Sequence, residues 1–157
     1  MTAKIIEVSI VHARVISVLH GACFEEALNE KSICEVLNMA GTTGFIVGAD
    51  VDTPQGFILF RVAADEAEII SIGVIPAARK NGLAKILLRA SIKGAAMRDA
   101  AKMFLEVATD NTAARALYET ARFKIIGKRP GYYDRASGKL DAIVYSLNIL
   151  DKKNSRP

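Results

Sequence analysis

Ile69-Ile70-Ser71-Ile72-Gly73-Val74-Ile75-Pro76-Ala77-Ala78-Arg79-Lys80-Asn81-Gly82-Leu83-Ala84 runs from an apolar strand through a short basic turn into the start of a helix. The helix continues to Met97, because Leu83, Ile86, Leu87, Ala90, Gly94 and Met97 recur at spacings of three and four. Lys85, Arg89 and Lys93 form the opposite stripe, which reads as a solvated face. The first N–H groups of a helix have no internal partner, and the helix dipole adds partial positive charge there. With Arg79 and Lys80 alongside, that end suits a pyrophosphate. Gly82 is expected to permit close backbone approach, and Gly73 to mark a bulge or another backbone nearby. An ordinary strand, turn and helix with solvent-facing basic residues explains the same letters equally well.

Upstream, Lys4–Ile10 reads as a strand, His12–His20 and Ser32–Met39 as helices, the second capped by Ser32 with Glu35 three residues on. Gly44–Ala49 and Gly56–Ala63 are strand-like runs separated by a turn at Asp50–Gln55, and Glu68–Ile75 is a third strand. Downstream come a strand at Lys102–Ala108 and a helix at Asn111–Ala121, introduced by the capping residues Thr109-Asp110-Asn111. Strands at Lys124–Lys128 and Ala142–Leu147, joined by a loop at Gly131–Asp141, complete the series. Strand–helix–strand units imply parallel pairing near the middle of the sheet, and consecutive strands imply antiparallel pairing. The expectation is a mixed α/β domain over residues 1–150, followed by a polar tail at 151–157.

At 157 residues, 51% hydrophobic and 24% charged, the chain holds one well-cored domain rather than a disordered segment. Its net charge of +4 favours anionic ligands without naming one. No stretch reaches the roughly 18–20 uninterrupted apolar residues of a membrane-spanning helix. The residues from Met1 to Glu7 lack the apolar segment of a secretory signal. A cytoplasmic protein without membrane contact is therefore expected. His12, His20, Cys23 and Cys34 fit no familiar zinc spacing, so no metal is expected. No Walker pattern, G-x-G-x-x-G after a strand, or G-x-S-x-G elbow occurs. The basic balance alone suggests nucleic acid, and no motif supports direct contact with it.

Arg79-Lys80-Asn81-Gly82-Leu83-Ala84 resembles the Q/R-x-x-G-x-G/A signature with which GNAT-superfamily acetyltransferases hold the pyrophosphate of coenzyme A. It keeps company at the expected distances with Phe104-Leu105-Glu106-Val107, Asp110-Asn111, Ala114, Leu117-Tyr118 and Phe123, and the likeness covers about residues 4–148. Leu105-Glu106-Val107, Arg129-Pro130-Gly131-Tyr132-Tyr133 and Asp141-Ala142 are similar to the RimI-type subgroup. The resemblance implies the GNAT fold, a mixed, mostly antiparallel twisted sheet of about seven strands flanked by about four helices. It also implies acetyl-CoA as donor and a protein amino terminus as acceptor, the amino-terminal alanine of a small-subunit ribosomal protein. In that likeness Ile72, Gly73 and Val74 match the strand that pairs with the pantetheine arm. Arg79, Lys80, Asn81, Gly82, Leu83, Ala84 and Lys85 match the pyrophosphate loop, and Asn111 an asparagine on the coenzyme. Glu106 matches a general base, Tyr118 the general acid for the departing thiolate, and Tyr132 and Tyr133 the wall of the peptide groove.

The chemistry is consistent with those roles. A thioester is attacked by a neutral amine, so a base must take a proton. Glu106 sits in an apolar run, where desolvation favours the neutral acid; it could equally be paired with a neighbouring lysine or arginine. Tyr118 is a phenol, and Ala114, Leu117 and Ala121 also suit it to simple helix packing. Near pH 7.4 roughly a quarter of an α-amino group is neutral but only about 0.1% of a lysine, worth about 3 kcal/mol in favour of the amino terminus. A lysine or small-amine acceptor, or a non-catalytic acyl-CoA-binding module, would preserve the same fold. Three places depart from the likeness. Ala84 replaces the commoner glycine, and Phe24 with Ala27-Leu28-Asn29 replaces a tryptophan–serine pair. Arg122 stands where glycine is usual, and left-handed geometry there would cost about 1–2 kcal/mol, so a differently built helix end is expected.

Overall fold

The alternation Ala67, Ile69 inward and Glu66, Glu68 outward makes Glu66–Val74 a strand with one covered face near its start. It is β4 of a seven-stranded sheet in a computed structural model that describes residues 3–136 and 138–149. The other strands are β1 (Lys4–Glu7), β2 (Thr42–Gly48), β3 (Pro54–Ala63), β5 (Lys102–Ala108), β6 (Lys124–Arg135) and β7 (Gly138–Asn148). The helices are α1 (Ala13–Cys23), α2 (Glu30–Leu37), α3 (Leu83–Met97) and α4 (Thr112–Thr120). The sheet order is β1-β2-β3-β4-β5-β7-β6, antiparallel everywhere except between β4 and β5. The mixed, mostly antiparallel sheet and its four helices are those expected from the sequence.

One strand feeds both cores. Phe57 and Leu59 of β3 pack with Ile16, Leu19 and Ile33 of α1 and α2, while Ile58 and Phe60 pack with Leu87, Leu88 and Ala95 of α3. That is why β3 reads as an unbroken apolar run rather than an alternating one.

The feature that makes room for a site lies at the parallel pair. β4 and β5 are in register only at Glu66–Lys102, Ala67–Met103 and Glu68–Phe104. Just beyond, the β3–β4 register shifts so that Ile70 is extra, a bulge that bends and twists β4. From there β4 pairs only with β3, and β5 only with β7. The facing edges of the two strands therefore carry backbone groups with no ladder between them.

Several boundaries differ from the sequence reading. β1 ends at Glu7, since Ile10 already opens a 3-10 turn leading into α1. Pro54 begins β3 instead of lying in the turn, and β4 starts two residues early, at Glu66, and stops before Ile75. Ser32 is not the cap of α2. Asn29 is, its side chain accepting from the Ser32 N–H at 2.8 Å, which starts the helix at Glu30. The loop expected at Gly131–Asp141 is mostly strand, because β6 and β7 continue to Arg135 and Gly138. The polar tail at 151–157 lies outside the described residues.

Arg122 also reverses an expectation. It adopts φ 73° and ends α4 in left-handed geometry without a glycine. Its N–H donates to Glu119 O, and that of Phe123 to Tyr118 O, both at 3.0 Å. This is a Schellman closure, completed by Phe123 packing edge-on against Tyr118 at 5.7 Å between ring centroids. The closure satisfies carbonyls that would otherwise be orphaned, and this offsets the strain at Arg122.

Candidate active site

One part of the candidate site forms where β4 leaves β5. Ile72, Gly73 and Val74 lie on the splayed part of β4, and the loop after them leads directly into α3. In that loop Lys80 has φ 66° and Gly82, the N-cap of α3, φ 77°. Left-handed residues in such a turn aim neighbouring N–H groups into one concavity, an anion-binding shape. The first helical bond is Ile86 N–H to Gly82 O at 3.1 Å, so the N–H groups of Leu83, Ala84 and Lys85 have no partner within the helix. Lys80 and Lys85 are exposed beside them. A pyrophosphate fits this set of donors and charges.

The two glycines answer different requirements. A Cβ at Gly82 would meet nothing within 4 Å of the protein, so its positive φ is the requirement visible here. A Cβ at Gly73 would fall 2.9 Å from Cys23 Sγ, 3.1 Å from Cys23 Cβ and 3.1 Å from Phe57 Cε1. The close neighbour is thus the end of α1 and not another backbone, and the bulge of β4 is at Ile70. Arg79 and Asn81 partly serve the loop itself. Arg79 Nε donates to Val74 O at 2.9 Å, and Asn81 Nδ2 to Ala78 O at 3.2 Å. The Leu83 side chain is buried in the core, which leaves its N–H for a ligand. Asn111 caps α4, its oxygen accepting from Ala114 N–H at 3.1 Å. Burial pushes the Cys23 thiol up, while Arg79 beside it acts in the opposite direction.

On the other face of the sheet lies a cleft of about 300 Å³ lined by Arg61, Glu66, Glu68, Phe104, Glu106 and Arg129, among others. α1 and α2 pack over β2 and β3, which leaves this part of the sheet open. Glu106 on β5 is four-fifths buried as a side chain, at 21% exposure, and its Oε1 accepts from Arg129 Nε at 2.9 Å. The arginine pairing weighed from the sequence is therefore present. The guanidinium also lies over the Tyr132 ring, 5.6 Å from its centroid. The Tyr132 phenol is raised above its ordinary range, first by the negative charge of Glu106 and then by hydrogen bonding to it. Tyr133 stands edge-on to Tyr132, with ring centroids 5.1 Å apart. Tyr132 thus packs on the arginine that holds Glu106, whereas Tyr133 bears on Tyr118.

Tyr118 lies on the opposite face of the sheet from Glu106. Leu105 and Val107 join it in the α3 side core, and Glu106 between them points the other way. Only 4% of Tyr118 is exposed, and burial, with a contribution from Tyr133, pushes its phenol far up. Its ring packs near Tyr145, which is fully buried; Tyr145 Oη donates to Glu119 Oε2 at 3.1 Å and accepts from Arg115 Nε at 3.4 Å. Arg115 also donates to Thr109 O at 3.2 Å, so α4 is tied to the end of β5. Arg129, Glu66 and Glu68 were missed as site residues by sequence reasoning. Arg129 is separated from Glu106 by a whole helix and by β7, and no local pattern announces a pair of that kind. Among the described residues no group of three or more His, Cys, Asp or Glu is arranged to hold a metal, and no helix is long and apolar enough to cross a membrane.

Comparison with known proteins agrees with this fold. The acetyltransferase (GNAT) family model matches residues 15–123. A ribosomal protein bS18-alanine N-acetyltransferase of Salmonella typhimurium is 37% identical over 98 residues, 62% of this chain and 66% of that protein. An N-alpha-acetyltransferase RimI of Mycobacterium tuberculosis is 41% identical over 80 residues, 51% of this chain and 48% of that protein. The match thus spans slightly less than two-thirds of the first relative and about half of the second. The crystal structure of the ribosomal-protein-S18-alanine N-acetyltransferase from Escherichia coli superposes with a TM-score of 0.87 at 26% identity, covering 94% of each chain.

Proposed function

The chain belongs to the acetyltransferase (GNAT) family, and on that footing we propose that it moves the acetyl group of acetyl-CoA onto the α-amino group of a protein. The acceptor we propose is the amino-terminal alanine of a small-subunit ribosomal protein, the activity for which the Salmonella and Escherichia coli relatives are named. One observation carries the reading. The parallel pairing of β4 and β5 stops after three residues, opening a strand edge between an anion-binding helix start and a buried carboxylate.

In this mechanism the edge at Ile72, Gly73 and Val74 binds the pantetheine arm as an added strand. The Lys80–Gly82 turn and the free N–H groups of Leu83, Ala84 and Lys85 hold the pyrophosphate. The acceptor amine enters from the cleft on the Glu106 face, between Arg129 and Glu68. A cationic amino terminus competes with the Arg129 guanidinium for the Glu106 carboxylate, and displacing it frees the carboxylate to act as base. The amine nitrogen bonds to the thioester carbonyl carbon, the carbon–sulfur bond breaks, and Glu106 takes the proton lost by nitrogen, directly or through water. Tyr118 serves the departing sulfur from the opposite face. Its raised phenol remains protonated at working pH, so it offers the sulfur an O–H at all times. With a thiol near its ordinary pKa of about 8.5, that O–H stabilises the thiolate chiefly as a hydrogen-bond donor.

The test is thiol release from acetyl-CoA with a short alanine-initiated ribosomal peptide, beside the same peptide already acetylated at its amino terminus. Turnover on the free peptide alone is expected. Equal turnover on both, through a lysine of the peptide, would replace this reading with side-chain acetylation.

A further inference from the structure

Arg129 holds the Glu106 carboxylate at 2.9 Å and its guanidinium lies over the Tyr132 ring, so the two side chains meet on one face, yet they are three residues apart on β6. In a regular strand residues three apart point to opposite faces. The contradiction is resolved by a bulge. Arg129 pairs with Ala142 and Tyr133 with Leu140, so Pro130, Gly131 and Tyr132 together stand opposite Asp141 alone. At the centre of the bulge Gly131 takes φ 62°, and its N–H, which has no strand partner there, donates to Asp141 Oδ1 at 2.9 Å. A Cβ on Gly131 would meet only ordinary contacts, at 3.6 Å and beyond, so crowding does not set the bulge. The Asp141 carbonyl meanwhile accepts from Thr109 N–H at 3.1 Å, fixing the same residue to the end of the strand that carries Glu106.

We propose that Asp141 is a positioning residue for the acceptor side of the site: its carboxylate clamps the β6 bulge and so brings Tyr132 round to Arg129 on the Glu106 face. The inference rests on the proposed function only for the role of Glu106; the clamp itself is a matter of geometry. An acceptor chain entering the cleft meets a Tyr132 ring already oriented, and loss of the clamp would leave that wall to be ordered during binding. Asparagine keeps an oxygen where Asp141 Oδ1 accepts, whereas alanine does not. The ion pair of Asp141 with Lys128, at 3.9 Å and exposed on both sides, is the contact that asparagine gives up, and it contributes little.

The experiment compares Asp141→Ala and Asp141→Asn with the natural chain, each first shown to melt cooperatively. Two quantities are read: the titration of the Tyr132 phenol by NMR of ring-labelled tyrosine, assigned with Tyr132→Phe, and the kinetics with acceptor peptide. Asp141→Ala should bring the Tyr132 titration down toward that of a free tyrosine. It should also lower kcat/KM by about 10–100-fold through KM, with coenzyme affinity unchanged. Asp141→Asn should retain both natural values. An unmoved Tyr132 titration in Asp141→Ala would overturn the proposal, as would an asparagine variant that behaves like alanine. The titration needs no acceptor, so a chain inactive on peptides would sink the functional reading while still deciding the role of Asp141.

Discussion

Arg122→Gly should stabilise this protein, and the size of the gain can be worked from the backbone. Arg122 occupies a left-handed conformation, φ 73°, at the close of α4, and its side chain is exposed. A residue with a Cβ carries about 1–2 kcal/mol of strain there. Glycine relieves it but gives up about 0.5–1 kcal/mol of additional unfolded-state entropy. The net gain is about 0.5–1 kcal/mol. For a chain of this length each kcal/mol moves Tm by roughly 2–4 °C, so the variant should melt about 1–4 °C higher. Thermal unfolding followed by circular dichroism, with urea midpoints as a check, reads the difference. The two closing bonds to Glu119 O and Tyr118 O are backbone bonds and survive the change, so turnover should be unaffected. A Tm that stays the same or falls would refute the reasoning, because the exposed guanidinium would then be holding the helix end more strongly than its strained backbone opposes it.

Two further predictions concern the end of α1. His20 is 6% exposed, its Nδ1 accepts from Leu28 N–H at 3.1 Å, and burial lowers its pKa. The unfolded chain therefore binds a proton more readily. Stability contributed by neutral His20 is complete above the ordinary histidine value of about 6.5 and is lost as pH falls below it toward the folded value. His20→Asn, which keeps an oxygen near the Nδ1 position, should lose less stability between pH 7.5 and 5.5 than the natural chain. Parallel urea curves for the two would remove His20 from that account. Gly73→Ala puts a methyl group 2.9 Å from Cys23 Sγ and should destabilise by about 1–3 kcal/mol and weaken acetyl-CoA binding. Cys23→Ala added to it should recover part of both losses, and a Gly73→Ala variant as stable as the natural chain would contradict the packing described.

Much of this was legible in the letters. The order of elements followed from periodicity, and the strand–turn–helix at Ile69–Ala84 stands where the phosphate reading put it. The opposition of Glu106 and Tyr118 across β5 also follows from simple alternation, with Leu105 and Val107 turned to the Tyr118 side. What stayed hidden depends on pairing between distant strands. Read from the sequence, a strand ends at Lys128 and a loop begins at Gly131, but β6 runs on through a bulge because Asp141, ten residues on, satisfies the freed N–H of Gly131. The partner of Glu106 was hidden for the same reason, since Arg129 reaches it across β7. Arg122 misled in the other direction. The preference for glycine at a left-handed helix end is a matter of one or two kcal/mol, and the Phe123–Tyr118 contact with two backbone bonds outweighs it.

The most direct trial of the central claim is Glu106→Gln, assayed by thiol release from acetyl-CoA with a free alanine-initiated peptide while coenzyme affinity is measured in parallel. Glutamine keeps the shape and can still lie near Arg129, but it cannot accept the proton of the attacking amine. The account predicts a fall in turnover of about 10²–10⁴-fold with acetyl-CoA binding essentially unchanged. Turnover retained at the natural level would contradict it, and Glu106 would then be only the partner that holds Arg129 in place.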